Sequence, residues 1–136
     1  MLAQNFMTPA DLGITDTEFD ALVRALGVFE RREAPEETFS MARVWHEDCG
    51  TPACICGWAH FVSSGKAFPL FRRPSHIKIM EPNWDAMPPR LHELFAYGGK
   101  AGFGAENATV AQAAIALRNY LTHGEPRWDE ALSVVD

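Results

Sequence analysis

The sequence predicts a mainly α-helical protein: a single compact domain over residues 1–136, with about four to six helices and a long irregular connector at about 66–89. Three observations carry that expectation. Apolar residues recur at three- and four-residue intervals after Thr15 and after Thr109, which is the period of one helix face rather than of a strand. Both stretches open on side chains suited to cap a helix and are followed by proline or glycine. Between them lie prolines at 69, 74, 82, 88 and 89, which forbid a long regular element.

The first helix is expected from about Thr17 to Glu33, capped by Thr15 or Asp16, with Phe19, Leu22, Val23, Leu26 and Phe29 as its apolar stripe. Pro35 stops it. Residues 35–45 are undecided, because Phe39 and Met41 alternate like a strand whereas Met41 and Trp45 stand at helical spacing. Thr51 as N-cap, Pro52 at the first helical position and Gly65 as the stop predict a second helix from Pro52 to about Ser64.

The connector from Lys66 to Pro89 contains Ile77 to Met80 as a brief extended piece and is expected to be packed by Phe68, Phe71 and Trp84. A third helix runs from Pro89 to Tyr97 and presents Leu91, Leu94 and Phe95. Glycines at 98, 99, 102 and 104 then break the chain. They follow a helix rather than a strand and lack the lysine and hydroxyl of a phosphate loop, so they read as a turn. Thr109 caps the last strong helix, whose apolar face is Ala113, Ala114, Leu117, Tyr120 and Leu121 and whose end is Gly124, with Pro126 beyond. A final turn through Trp128, Ala131, Leu132 and Val135 is expected to fold back over the core.

With 136 residues, 47% of them hydrophobic, the chain can bury roughly two thirds of its unfolded surface without a metal or disulfide staple. Twelve Lys and Arg against 18 Asp and Glu leave a net charge of -6 without a block of like charge, which disfavours DNA binding. Arg72 and Arg73, with Lys66 and Lys78 nearby, read as a solvated turn. Met1 to Met7 has neither a positive region nor a sustained apolar core, so no secretory signal and no membrane span are expected. Three cysteines without an export signal point to reduced thiols in the cytoplasm; Cys49 and Cys54 are near enough in sequence to be bridged if oxidised.

All three cysteines and two histidines fall between His46 and His60, and the segment has three readings. As a zinc site it would use His46, Cys49, Cys56 and His60, with Cys56 and His60 four residues apart on one helix face. No Cys-x2-Cys knuckle is present, and Cys54 would point away from Cys56. As a thiol site it would use Cys54 in the first helical turn, where free N–H groups stabilise a thiolate, but apolar neighbours oppose this. The preferred reading is structural: Cys54, Trp58 and Phe61 pack as one stripe, and Gly57 admits a close neighbour. No metal or other cofactor is therefore expected.

The pattern Cys49-Gly50-Thr51-x-x-Cys54-x-x-Gly57-Trp58-Ala59, preceded by Phe39-x-Met41 and Trp45 and followed by Thr109, Ala114, Leu121, Gly124 and Trp128, resembles a group of small bacterial and bacteriophage proteins of uncharacterised function that share a CGTxxCxxGWA segment. Residues 66 to 88 are unmatched, and Cys56 and His60 are not in the shared pattern. The resemblance implies a compact, mostly helical, cytoplasmic domain and carries no activity. Function is accordingly expected to be non-enzymatic protein interaction, through the aromatic patch of Phe68, Phe71 and Trp84, with inhibition of host or defence machinery included by analogy. One alternative is a thiol- or zinc-dependent enzyme using the 46–60 segment, with Glu47 or Asp48 as proton acceptor. Another is a small-molecule binder with a pocket lined by Trp45, Trp58 and Trp84.

Overall fold

The computed structural model describes residues 5–37, 39, 45–46, 51–52, 55–62, 71–72, 81–82, 88–95 and 108–134. These residues are mainly helical. In chain order they form α1 (Pro9–Leu12), α2 (Asp16–Glu30), β1 (Trp45–His46), β2 (Thr51–Pro52), α3 (Ile55–Val62), β3 (Phe71–Arg72), β4 (Glu81–Pro82), α4 (Pro89–Phe95), α5 (Val110–His123) and α6 (Trp128–Leu132).

Three of the helices open on capping boxes. Thr8, Thr15 and Thr109 each accept a hydrogen bond from the backbone N–H three residues on, and Asp11, Glu18 and Gln112 each accept one from the threonine's own N–H. Two orphan donors are satisfied at each start. Threonine caps at 15 and 109 agree with the sequence expectation; α1 was not expected, although Pro9 and Gly13 frame it.

The first long helix ends at Glu30 rather than Glu33. Arg32 takes a left-handed backbone with φ 60°, its N–H bonds to the carbonyl of Phe29, and the N–H of Glu33 bonds to that of Val28. This is a Schellman closure with arginine in the place usually held by glycine. At the end of α5, Gly124 does hold that place, with φ 83° and its N–H on the carbonyl of Tyr120.

The expected helix start at Thr51 and Pro52 is corrected. Those residues form β2, antiparallel to β1 with Trp45 opposite Pro52 and His46 opposite Thr51, and α3 begins at Ile55. Proline's fixed φ suits an edge strand as well as a first helical turn, so strand pairing could claim it. The same pairing resolves the end of the 35–45 stretch in favour of extended backbone at Trp45. Within the expected connector, Phe71 pairs with Pro82 and Arg72 with Glu81. The expectation for Ile77 to Met80 lies outside the described residues. The fourth helix ends at Phe95, and residues 96 and 97 also lie outside them.

The core gathers α2, α3, α4, α5 and α6. Leu22, Leu26 and Phe29 of α2 are sealed from solvent, as are Ile55 of α3, Leu91 and Leu94 of α4, Leu117 and Leu121 of α5 and Trp128 of α6. Helix α2 is central, packing on α3 on one side and on α5 on another. Phe29 is the meeting point of two edge-to-face contacts, with Phe39 at 5.6 Å and Trp58 at 6.3 Å between ring centroids. The final turn does fold back: the Trp128 indole N–H donates to the carbonyl of Glu93, which joins α6 to α4.

Candidate functional site

Helix α3 carries four of the residues that the sequence singled out, Cys56, Gly57, Trp58 and His60. Ile55, Trp58, Ala59 and Val62 recur at helical spacing; the first three are buried and Val62 is half-buried. Trp58 is thus part of the packed interior against Phe29. Gly57, Cys56 and His60 also lie on α3, His46 lies in β1, Thr51 in β2 and Phe71 in β3, but the side-chain expectations for Cys56, His60 and Phe71 lie outside the described residues. So do Cys49, Cys54, Phe68 and Trp84 altogether. Among the described residues no group of three or more His, Cys, Asp or Glu side chains converges as metal ligands would.

The structure exposes a groove that the sequence reading missed. It opens between α2 and the last turn of α3, has a volume of about 400 Å3, and is lined by Val23, Arg24, Gly27, Val28, Arg31 and Val62. Positions 24, 27, 28 and 31 fall at the spacing of one helix face, so a single stripe of α2 forms one wall and Val62 supplies the other. All three valines are half-buried, which makes the floor apolar without closing it.

The two arginines form the rim. Arg24 donates from Nε to Asp20 Oδ2 at 2.8 Å, one helical turn back. Arg31 grips Glu33 with both Nε and Nη2, at 2.9 and 3.0 Å. That double bond holds the Arg31 guanidinium above its ordinary pKa and the Glu33 carboxyl below the usual carboxylate range. Both side chains remain exposed, at 58% and 59%. Neither carboxylate lines the groove.

Gly27 explains why Arg31 lies where it does. A Cβ at position 27 would stand 2.7 Å from Arg31 Nη1, so the glycine leaves room for the guanidinium to lie on the helix, and a larger residue would push it aside. Glycine in mid-helix costs about 1 kcal/mol relative to alanine. That cost, with two arginines seven residues apart around it, was the signal in the sequence.

A second polar feature lies inside. Glu18 is only 3% exposed, its Oε1 accepting from the N–H of Thr15 at 2.8 Å. The Tyr120 hydroxyl on α5 is buried without a hydrogen-bond partner among the described residues. Burial, and then the nearby charge of Glu18, raises its pKa above the ordinary tyrosine value of 10.0.

Other described ionisable side chains act as ties between elements. Glu36 accepts from the backbone N–H of Val110 at 3.1 Å and so caps α5 from across the chain. Arg118 on α5 holds Glu30 of α2 through two bonds of 2.8 Å while its guanidinium lies 5.7 Å from the centre of the Phe6 ring. Among the described residues no helix is long and apolar enough to cross a membrane. The rimmed groove on α2 and α3 is thus a concave surface of both apolar and charged character among the described residues, and no protein-family model, no curated protein and no solved structure matches the chain.

Proposed function

We propose that this chain is a non-enzymatic protein-interaction domain that works in the cytoplasm of a bacterial or phage-infected cell by covering a surface of its partner. The observation that carries the reading is the groove between α2 and α3, with its floor of Val23, Val28 and Val62 and its rim of Arg24 and Arg31. Arginine beside apolar surface is the composition enriched where proteins meet. The engagement of Asp11, Glu18, Glu30 and Glu36 in caps and ties supports it further, because those carboxylates serve the fold rather than a substrate. The CGTxxCxxGWA resemblance supplies the bacterial or phage setting, and inhibition of host or defence machinery is included by analogy with that setting.

Site-specific photo-crosslinking tests this. A photoreactive residue in place of Arg24, at the groove, and another in place of the exposed Asp129 of α6 are carried through bacterial lysate. Discrete polypeptide adducts from position 24 that are missing from position 129 are expected. Matching adduct patterns from the two positions would remove the groove, and with it this reading.

A further inference from the structure

The rim of the groove offers guanidinium groups whose partner carboxylates, Asp20 and Glu33, sit outside the lining. The chain carries -6 overall, yet the groove lining contains two arginines and no carboxylate. We propose that the partner seats an acidic amphipathic helix there, with two carboxylates seven residues apart on Arg24 and Arg31 and an aliphatic side chain between them on Val23, Val28 and Val62. This rests on the reading of the chain as a protein-interaction domain and names the partner's chemistry.

Spacing favours a helix. Arg24 lies in α2 and Arg31 at its C-cap seven residues on, which is about 10.5 Å at the helical rise, and a helix laid alongside repeats its own side chains with the same translation. Val28 of the apolar floor falls between the two cations in α2, where such a helix presents the residues three or four positions after its first carboxylate. Helix-in-groove recognition of this kind relies on aliphatic anchors flanked by charge.

The donors are there to be used. Asp20 engages only the Nε of Arg24, and Glu33 engages Nε and Nη2 of Arg31, which leaves both Nη groups of Arg24 and the Nη1 of Arg31. Both internal pairs are more than half exposed, so an incoming carboxylate can share or replace them at little loss. Asp20 pairs with Arg24 from one turn back in α2 and Glu33 pairs with Arg31 from beyond the helix end, so in sequence the two cations stand between their carboxylates. A helix with carboxylates in register meets the two inner cations; a basic helix meets them as repulsion.

Fluorescence anisotropy with the full chain and labelled synthetic helices provides the test. One peptide carries Glu at two positions seven apart with Leu three and four residues after the first; the second has Lys for both Glu, and the third Gln. The acidic peptide should bind tightest, weaken as salt rises, and lose about tenfold or more in affinity for the Arg24→Glu/Arg31→Glu protein. The Lys peptide should bind that reversed protein in its place. Arg24→Lys/Arg31→Lys keeps the charge and should retain most of the affinity, with far-UV circular dichroism confirming that each variant is folded.

Equal binding of the acidic and Lys peptides to the unaltered protein would overturn the proposal, as would indifference to the charge reversal. Tighter Arg-dependent binding of an oligo-dT strand would overturn it in favour of nucleic acid. Charge-independent binding of all three peptides that is lost in Val62→Asp would refute the acidic partner while leaving the groove as a docking surface. Binding of no peptide also refutes this proposal, and the crosslinking at position 24 then decides separately whether the chain is an interaction domain.

Discussion

Tyr120 places a hydroxyl where nothing described answers it. A buried hydroxyl without a partner costs about 1–3 kcal/mol in lost solvation. Tyr120→Phe should therefore raise the stability by about 1 kcal/mol at neutral pH, read as a higher urea midpoint. The same residue sets a pH dependence. Its folded pKa lies above the unfolded value of 10.0, so the folded state keeps a proton that the unfolded chain releases. Its contribution is constant below about pH 10 and declines as pH rises further, and Tyr120→Phe should flatten that part of the stability profile. Identical alkaline profiles for the two proteins would contradict the buried environment. Gly124 offers a second residue-scale test: its φ of 83° is strained for any side chain, and a Cβ there would stand 3.3 Å from Met7 Sδ. Gly124→Ala should cost about 1–2 kcal/mol, whereas the same change at an unstrained helix position is stabilising.

At the scale of elements, the helix ends decide most of what can be tested. The Gln112 carboxamide oxygen accepts from the Thr109 N–H, and its nitrogen donates to the carbonyls of Leu132 and Val134, so one side chain caps α5 and fastens the end of α6. Gln112→Ala should cost about 2 kcal/mol and Thr15→Ala about 1, the difference reflecting the second element held. Equal losses in chemical denaturation would mean that the bonds to α6 contribute nothing. Caps of this kind were legible beforehand, since Thr15, Thr109 and Gly124 are residue types with one strong local use each. The end of α2 was not legible, because an arginine occupies the left-handed position and arginine carries no such signal. Thr51 and Pro52 misled for another reason: their local chemistry suits a helix start, and pairing with Trp45 and His46 overrode it. The groove was hidden because it belongs to two helices at once. Val62 is unremarkable in sequence until α3 is packed on α2, and Gly27 between its two arginines marks only one wall.

At the scale of the molecule, α2 is the shared neighbour of elements far apart in the chain. The bonds from Glu36 to α5 and from Arg118 to Glu30 span 74 and 88 residues. Arg118 and Glu30 are 41% and 32% exposed, so their ion pair contributes no more than about 1 kcal/mol after solvent screening. Arg118→Lys should accordingly leave the melting temperature nearly unchanged, since the main loss on a larger truncation is cover over Phe6. A fall in melting temperature beyond about 5 °C would place more weight on the pair than its exposure allows.

The position of α2 against α5 also orders events on the ribosome. Leu22, Leu26 and Phe29 emerge early, while Val110 to His123 follow only after about eighty more residues, which at synthesis rates of 5–20 residues per second is a delay of roughly four to sixteen seconds. During that interval α3 can shield part of the apolar face of α2, and the part that faces α5 stays bare. A nascent chain arrested before Thr109 should therefore be captured by ribosome-associated chaperones and cut readily by protease within α2, and release by further elongation should come only once α5 has cleared the exit tunnel.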